Sequence, residues 1–301
     1  MMDPNELKTA LGSGLLSFPV TTFDTDFSFD EDAYREHIAW LDGFGAAVLF
    51  APGGTGELFS LTPLEAAYVT KVAKATSVNT PIVGGAAYGT AMAVEMAKAA
   101  EAAGADGVLL LPPYLMLCEQ DGLVAHVKAV CDAVGVGVVV YNRDNIVLSA
   151  ESIARLCDIC PNLIGFKDGY GEVDRVIEIT TMLGDRLTYI GGMPTHELYA
   201  TAYFAAGVTT YSSAVFNFVP ELAQRFYSAL RAGETDITNQ ILKDFFFPLT
   251  KLRNRKKGYA VSIIKAGLQA RGRKCGPVRP PLTDLTAEEF ALLKQIVKAA
   301  A

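Results

Sequence analysis

A lysine at the end of an apolar run is the residue in this chain best suited to covalent chemistry. Lys167 lies near the end of the segment Leu-Ile-Gly-Phe-Lys-Asp, residues 163–168. A lysine in a dry pocket releases its proton more readily, because desolvation disfavours the ammonium, and the neutral amine is a nucleophile. The alternative is a lysine whose stem packs at a strand end while its ammonium reaches water. Lys167 is therefore a candidate for imine formation with a ketone.

A tyrosine one repeat earlier in the chain could exchange protons with that lysine. Tyr141 lies 26 positions before Lys167 and ends an apolar run of its own, residues 137–142. If the two runs are neighbouring strands, the phenol can act as acid or base at the imine or the adjacent carbon. A structural tyrosine with a satisfied hydroxyl is the alternative. Because side chains alternate along a strand, Asp168 is predicted to face the helix layer and not to share a proton with Lys167.

A glycine-rich segment is predicted to bind a carboxylate. Residues 53–57, Gly-Gly-Thr-Gly-Glu, offer unobstructed backbone N–H groups and a threonine hydroxyl. Such a nest suits an anion, although a glycine-rich turn after a strand need bind nothing. The residues predicted to contact substrate all lie at strand ends or in the loops after them: Gly54, Thr55, Arg143, Gly192, Ser212 and Ser213.

Two further residues near these strand ends have competing interpretations. Arg143 is expected to bind a second carboxylate bidentately, and a surface ion pair with Asp144 is the alternative. His196 follows Pro194-Thr195 at a predicted helix start. It is predicted to lie on the helix surface and not to take part in catalysis.

These groups follow short apolar runs that repeat along the chain. The runs alternate with helical patterns at intervals of roughly 25 to 30 residues, which is typical of βα units and a parallel sheet. They cover residues 14–20, 46–50, 81–86, 107–112, 137–142, 163–168, 187–192 and 207–213. Eight such units with strands that are apolar on both faces predict a (β/α)8 TIM barrel. An open doubly wound sheet would carry a glycine-rich dinucleotide loop after the first run, and this chain has none there.

The predicted barrel occupies residues 1–235 of a single domain that covers residues 1–301. Residues 236–301 are predicted as a helical extension, with helices at 237–252, 258–271 and 287–300. In such a barrel, reacting groups collect at the C-terminal ends of the strands and in the loops that follow. Tyr141 and Lys167 both fall there, so the predicted elements and the predicted chemistry indicate the same site.

The composition argues against several other classes of protein. The chain has 301 residues, a net charge of -7, and 33 acidic against 26 basic residues, whereas a nucleic-acid surface needs a clustered basic face. The basic residues between 251 and 257 are predicted as a solvated helix end or loop. No apolar run reaches the length of a membrane span, and the first residues lack a secretory signal. Five scattered cysteines predict reduced thiols in the cytoplasm, and Cys157 and Cys160, without a second pair, predict no metal site.

Three segments in this order resemble those of the class I lyases of the dihydrodipicolinate synthase and N-acetylneuraminate lyase family. They are residues 53–57, Tyr141-Asn142, and Gly-Phe-Lys-Asp-Gly-Tyr-Gly at 165–171, and the resemblance covers nearly the whole chain. It implies a Schiff base at Lys167, acid–base chemistry at Tyr141, and binding of an α-keto acid carboxylate by Thr55 and the Gly54 amide. It also implies a homotetramer. No metal or organic cofactor is expected, since the imine itself is the electron sink.

Several residues depart from the pattern of the synthases. Gly54 replaces the first threonine of the carboxylate segment, Leu115 stands where the synthases carry a second tyrosine, and residues 191–194, Gly-Gly-Met-Pro, lack their acidic pair. These features resemble the decarboxylating dehydratases of the family. They imply a keto sugar acid substrate, 5-dehydro-4-deoxyglucarate, that loses water and carbon dioxide to give 2,5-dioxopentanoate. The alternatives are an aldolase that cleaves a 2-keto-3-deoxy sugar acid to pyruvate and a noncatalytic sugar-acid-binding relative.

Overall fold

Eight parallel strands form a closed barrel in the order in which they occur along the chain. The computed structural model describes residues 2–144 and 146–300. The strands are β1 (Leu16–Ser17), β2 (Leu49–Phe50), β3 (Ile82–Ala86), β4 (Gly107–Leu110), β5 (Gly137–Asn142), β6 (Leu163–Asp168), β7 (Thr188–Gly191) and β8 (Thr210–Ser213). The predicted TIM barrel is therefore confirmed, and β5 and β6 match their predicted runs residue for residue.

A helix follows each strand and packs outside the barrel. These helices are α2 (Glu31–Asp42), α3 (Pro63–Thr76), α4 (Thr90–Ala102), α5 (Gln120–Ala133), α6 (Ala150–Ile159), α7 (Val173–Leu183), α8 (Ala200–Ala205) and α9 (Pro220–Ala232). Polar side chains cap two of these helices at their first turns. Thr62 accepts the amide of Glu65 at the start of α3, and Ser149 accepts the amide of Ser152 at the start of α6. These bonds satisfy donors that the first helical turn leaves unpaired.

The first strand is shorter than predicted. The sequence predicts a strand over residues 14–20, but the paired residues end at Ser17. Beyond that point the backbone bonds to side chains, and the amide of Val20 donates to Oδ1 of Asn217 at 3.0 Å. The chain therefore leaves the ladder early and lines the C-terminal mouth of the barrel.

An N-terminal helix that the sequence analysis did not predict closes the opposite end of the barrel. Helix α1 (Pro4–Gly12) begins with a capping box at Asp3 and buries Leu7 and Leu11. The Leu7 side chain enters the barrel where glycines leave room, since a Cβ at Gly107 would lie 2.4 Å from Leu7 Cδ2. Helix α1 could not be recognised from its short sequence of mixed polar and apolar residues, because its apolar partner, the end of the barrel, exists only in the folded protein.

The helices after the barrel lie close to their predicted positions. They are α10 (Thr235–Ile241), a π-helical turn (Leu242–Phe246), α11 (Phe247–Arg253), α12 (Tyr259–Ala270) and α13 (Ala287–Ala300). Among residues 2–144 and 146–300, no helix is long and apolar enough to cross a membrane.

A buried ion pair ties these helices to the glycine-rich segment. Nζ of Lys265 in α12 lies 2.7 Å from Oε1 of Glu57, and both side chains are fully buried. The other carboxylate oxygen of Glu57 accepts the amide of Arg279 at 2.9 Å. Glu57 itself adopts a left-handed conformation with φ of 55°, so the pair holds the loop after β2 in a shape that the local sequence alone does not favour.

Replacing Lys265 with methionine is expected to destabilise the protein by about 3–5 kcal/mol, because it leaves the carboxylate of Glu57 buried and unpaired. Urea unfolding monitored by circular dichroism measures the loss as a lower midpoint. The matched control is Lys128→Met, which removes an exposed i,i+4 pair with Asp132 and is expected to leave the midpoint unchanged. Equal midpoints for the Lys265 variant and the wild type would show that the ion pair does not hold the loop.

Candidate active site

Lys167 is buried at the C-terminal end of β6, inside the barrel. Its residue surface is only 4% exposed. The Nζ atom lies 4.0 Å from the ring centroid of Tyr141 and 4.2 Å from that of Phe18. Burial, and then the positive charge of Arg143, hold the pKa of this amine well below its usual value. The solvated lysine considered as an alternative is therefore wrong, and the neutral, nucleophilic amine forms more readily than at an exposed lysine.

Tyr141 ends the neighbouring strand, as the spacing of the two apolar runs predicts. Tyr141 pairs with Lys167 in the register of β5 and β6. Its hydroxyl donates to the carbonyl of Gly192 at 2.8 Å, and Nη1 of Arg143 donates to that hydroxyl at 3.2 Å. Burial raises the pKa of the phenol, although the charge of Arg143 partly opposes this shift. The hydroxyl is thus protonated at neutral pH and can donate a proton next to the amine.

Two glycines make room for these reacting groups. A Cβ at Gly192 would lie 2.8 Å from Cε2 of Tyr141 and 2.9 Å from Cε of Lys167. A Cβ at Gly169 would lie 2.6 Å from the Tyr141 hydroxyl oxygen. The carbonyl of Gly192 accepts the Tyr141 hydroxyl, and the substrate contact expected of Gly192 stays a prediction. Gly169 was not singled out from the sequence.

The glycine-rich segment lies on the same side of the barrel as the lysine. Gly53 packs against the ring of Phe18, and a Cβ there would lie 2.2 Å from Cδ1 of that ring. Gly54 and Thr55 are half-buried, and nothing lies within 4 Å of a Cβ built at Gly54. Among residues 2–144 and 146–300, neither the amide of Gly54 nor that of Thr55 has a hydrogen-bond acceptor. These free donors beside an open space suit a carboxylate.

The two serines at the end of β8 face different layers. Tyr211 packs against Tyr227 of α9 in the helix layer, so alternation places Ser212 on the barrel side. Ser213 is fully buried, and its hydroxyl donates to Oε1 of Glu197 at 2.5 Å. The geometry therefore favours Ser212, not Ser213, as a substrate contact.

Glu197 is a buried carboxyl that the sequence analysis did not identify. It follows the loop after β7, and its Oε2 atom has no hydrogen-bond partner among the described residues. Burial raises the pKa of Glu197 to about 7, although the hydrogen bond from Ser213 lowers it. Nothing in the local sequence, His-Glu-Leu, distinguishes this carboxyl from an exposed helix residue.

Arg143 contacts Asp144, the alternative partner expected from the sequence, and it also contacts Tyr141. Its Nε atom lies 3.3 Å from Oδ2 of Asp144, in a pair that is largely exposed. Its Nη1 atom bonds to the hydroxyl of Tyr141, as described above. The guanidinium thus extends from the surface to the reacting groups, where it can meet a second substrate carboxylate.

The predicted direction of Asp168 is confirmed, but the predicted exposure of His196 is wrong. Oδ2 of Asp168 accepts the hydroxyl of Tyr203 in α8 at 2.5 Å, so this carboxylate faces the helix layer. His196 is buried between the rings of Tyr203 and Tyr211. Space for its ring exists because residue 191 is glycine, where a Cβ would lie 2.0 Å from Nε2 of His196.

The lowered pKa of Lys167 predicts that its reactivity depends less steeply on pH than that of an exposed lysine. An ordinary lysine gains neutral amine about 100-fold between pH 7 and pH 9. We expect reductive methylation of Lys167 by formaldehyde and cyanoborohydride to rise less steeply than that over the same range, since burial holds its pKa well below the usual 10.5. Mass spectrometry of the peptide that carries Lys167 measures the rate, and exposed lysines in the same digest are the control. An increase at Lys167 as steep as theirs would contradict the lowered pKa.

This fold and site define a family. The profile of the Dihydrodipicolinate synthetase family matches residues 12–300. The chain therefore belongs to that family, and the resemblance inferred from three short segments is confirmed.

Similar curated proteins carry a more specific name. A protein named "Probable 5-dehydro-4-deoxyglucarate dehydratase" from Rhizobium rhizogenes (strain K84 / ATCC BAA-868) is 70% identical over 99% of both chains. A protein of the same name from Chelativorans sp. (strain BNC1) is 60% identical over 98% of both chains.

Solved structures agree with the fold. The dihydrodipicolinate synthase from Bacillus clausii superposes with a TM-score of 0.88 at 26% identity, covering 97% of this chain and 99% of that one. The dihydrodipicolinate synthase from Oceanobacillus iheyensis gives a TM-score of 0.89 at 24% identity over 99% of both chains. At such identities the architecture is shared, whereas the residues that select the substrate can differ.

Proposed function

We propose that this protein is a decarboxylating 5-dehydro-4-deoxyglucarate dehydratase that works through a Schiff base at Lys167. The observation that carries the proposal is the burial of this amine 4.0 Å from the Tyr141 ring, whose hydroxyl is held by Gly192 and Arg143. The name shared by relatives at 60–70% identity supports the same substrate. Imine chemistry suits that substrate, because its ketone carbon is bonded to a carboxylate on one side and to a CH2 group on the other. An iminium at the ketone carbon acidifies the hydrogens of that CH2 group.

The reaction begins with attack of Nζ of Lys167 on the C5 ketone. Loss of water from the carbinolamine forms the iminium, which acidifies the hydrogens on C4. Removal of one C4 proton forms an enamine, and its electrons expel the C3 hydroxyl, which leaves as water after protonation. The protonated phenol of Tyr141, next to the imine, is placed to supply or relay that proton.

Decarboxylation follows from the conjugated iminium that dehydration creates. The C1–C2 bond breaks, carbon dioxide leaves, and the electron pair moves into the conjugated system as far as the iminium nitrogen. Protonation at carbon and tautomerisation of the C2 enol give an aldehyde. Hydrolysis of the imine then releases 2,5-dioxopentanoate and regenerates the amine. One carbon dioxide and one net water leave per substrate, and the iminium serves as the only electron sink.

The two substrate carboxylates need separate sites. We assign the carboxylate beside the ketone to the free amides of Gly54 and Thr55 and the hydroxyl of Thr55. We assign the distal carboxylate, the one that leaves, to Arg143. We assign a substrate hydroxyl to Ser212, because alternation puts its side chain on the barrel face of β8. The barrel thus holds the reacting carbons between a fixed anion site and a guanidinium.

Product analysis tests this assignment. Purified protein incubated with 5-dehydro-4-deoxyglucarate is expected to release carbon dioxide and 2,5-dioxopentanoate in a one-to-one ratio. Release of pyruvate from 2-keto-3-deoxy sugar acids, without carbon dioxide, would identify an aldolase instead. Binding of the sugar acid without any turnover would identify a noncatalytic relative.

We further propose that the protein acts as a cytoplasmic homotetramer. The loop after β4 supports self-association, because Tyr114, Leu115 and Leu117 are 71%, 78% and 92% exposed and such clusters usually mark an interface. The scattered cysteines support a reducing compartment. Sedimentation equilibrium is expected to give a tetramer for the wild type and a smaller species for Leu117→Glu. A monomeric wild type would contradict the assembly.

A further inference from the structure

The nitrogen of Lys167 lies between two aromatic ring faces. One belongs to Tyr141, at 4.0 Å from its centroid, and the other to Phe18, at 4.2 Å. Both distances are well inside the roughly 6 Å over which a cation is attracted to an aromatic face. The hydroxyl of Tyr141 already has a chemical role in the proposed reaction. Phe18, which follows β1, has none.

The ring of Phe18 is held in this position from two sides. It stacks on Phe50 with centroids 4.7 Å apart and an interplanar angle of 6°. On the side of the glycine-rich segment, Gly53 leaves the space that the ring occupies, since a Cβ there would lie 2.2 Å from Cδ1 of Phe18. The side chain is buried. Its face is therefore presented to the amine by packing.

Burial and the ring face act on the lysine nitrogen in opposite directions. A dry site favours the neutral amine, which must attack the ketone. The same dryness destabilises the iminium cation that forms on this nitrogen. An aromatic face carries negative charge density and stabilises a cation without bringing water or a competing proton acceptor. Among the described residues, no carboxylate forms an ion pair with Nζ of Lys167. The cation on this nitrogen therefore has no carboxylate among them to stabilise it.

We infer that Phe18 takes part in catalysis as an electrostatic partner of the reacting nitrogen, and that its ring face stabilises the iminium at Lys167. This inference rests on the proposed imine chemistry and adds a residue to it. The competing role is that of an apolar wall, which would depend on the shape of the ring and not on its charge distribution.

Fluorination separates these two roles because it withdraws charge from the ring face and changes its shape very little. We would place 4-fluoro-, 3,5-difluoro- and 3,4,5-trifluorophenylalanine at position 18. The turnover number is expected to fall stepwise, by roughly three- to tenfold across the series, as weakening of a desolvated cation–π contact predicts. An apolar wall predicts a flat series, and a flat series would overturn the inference.

A second measurement needs no substrate. The pH midpoint for reductive methylation of Lys167 reports the balance between ammonium and amine. Each fluorine weakens the attraction between the ring face and the ammonium form of Lys167, so the methylation midpoint is expected to move to lower pH. The shift should reach about half a unit or more for the trifluoro ring. A midpoint that stays in place or rises would also overturn the inference.

Phe50 provides the matched control. It stacks on the far side of Phe18 and does not present its face to Nζ of Lys167. The same fluorinated residues at position 50 are expected to leave both the midpoint and the turnover number close to wild-type values. A conventional variant, Phe18→Leu, keeps an apolar side chain and is expected to lower the midpoint as well.

The outcomes distinguish this inference from the proposed function. If the wild type does not convert 5-dehydro-4-deoxyglucarate, the proposed function fails, while the methylation midpoints still report the effect of the ring on the amine. If the wild type converts the substrate and the fluorinated series is flat by both measurements, only the role of Phe18 fails.

Discussion

Replacing Lys167 with alanine is expected to reduce carbon dioxide release from 5-dehydro-4-deoxyglucarate to background, a loss of at least about 10⁴-fold. The variant lacks the nitrogen on which the proposed iminium forms, so neither dehydration nor decarboxylation would have an electron sink. A coupled assay for 2,5-dioxopentanoate measures the loss. The effect should fall on the turnover number, since the substitution does not alter the proposed carboxylate sites at Gly54, Thr55 and Arg143.

Two controls separate lost chemistry from lost structure. Lys128→Ala removes an exposed lysine of α5 and is expected to keep wild-type turnover. The Lys167→Ala variant is expected to unfold at a temperature equal to or above that of the wild type, because it removes an amine whose ammonium form burial disfavours. Substantial turnover in a folded Lys167→Ala variant would contradict an imine at this residue.

Replacing Tyr141 with phenylalanine is expected to lower the turnover number by about 10²- to 10³-fold, the contribution typical of a positioned acid or base. The substitution removes only the hydroxyl, which donates to Gly192 and accepts from Arg143. The ring face over Lys167 stays in place. Imine formation, measured by borohydride trapping, is therefore expected to persist while carbon dioxide release falls.

Tyr189 offers the matched comparison for this hydroxyl. It is a buried tyrosine of β7, one residue before Ile190, which pairs with Lys167. Alternation turns its side chain away from the barrel interior. Tyr189→Phe is expected to keep the turnover number within about threefold of wild type. Equal effects of the two substitutions would argue that the Tyr141 hydroxyl has no special role in proton transfer.

The parts of this site that follow from local periodicity could be predicted from the sequence. The repeat of apolar runs predicts neighbouring parallel strands, and Tyr141 pairs with Lys167 in the observed register. Alternation within a strand predicts that Asp168 faces the helix layer, where it accepts the hydroxyl of Tyr203. The first inference depends on the spacing between consecutive strands and the second on alternation within one strand. Both regularities can be recognised in a single sequence.

The parts that depend on individual tertiary contacts could not be predicted in this way. Phe18 and Lys167 are far apart in sequence, and their contact exists only because the barrel closes β1 against β8. His196 is buried because glycine at position 191 leaves space for its ring, and no local pattern marks that space. Ser213 was expected to contact substrate, but its hydroxyl donates to Glu197, a carboxyl that no local pattern distinguishes. For Phe18 and Ser213 the deciding neighbour comes from another βα unit, whereas Gly191 and His196 belong to the same unit and are five residues apart.

Borohydride trapping with the proposed substrate tests the central claim most directly. The protein is incubated with 5-dehydro-4-deoxyglucarate, reduced with borohydride, and digested for peptide mass spectrometry. The expected result is one substrate-derived adduct per chain, on the peptide containing Lys167 and joined to its side-chain nitrogen. Carbon dioxide release by a protein whose Lys167 peptide keeps its unmodified mass would show that the reaction does not pass through this amine.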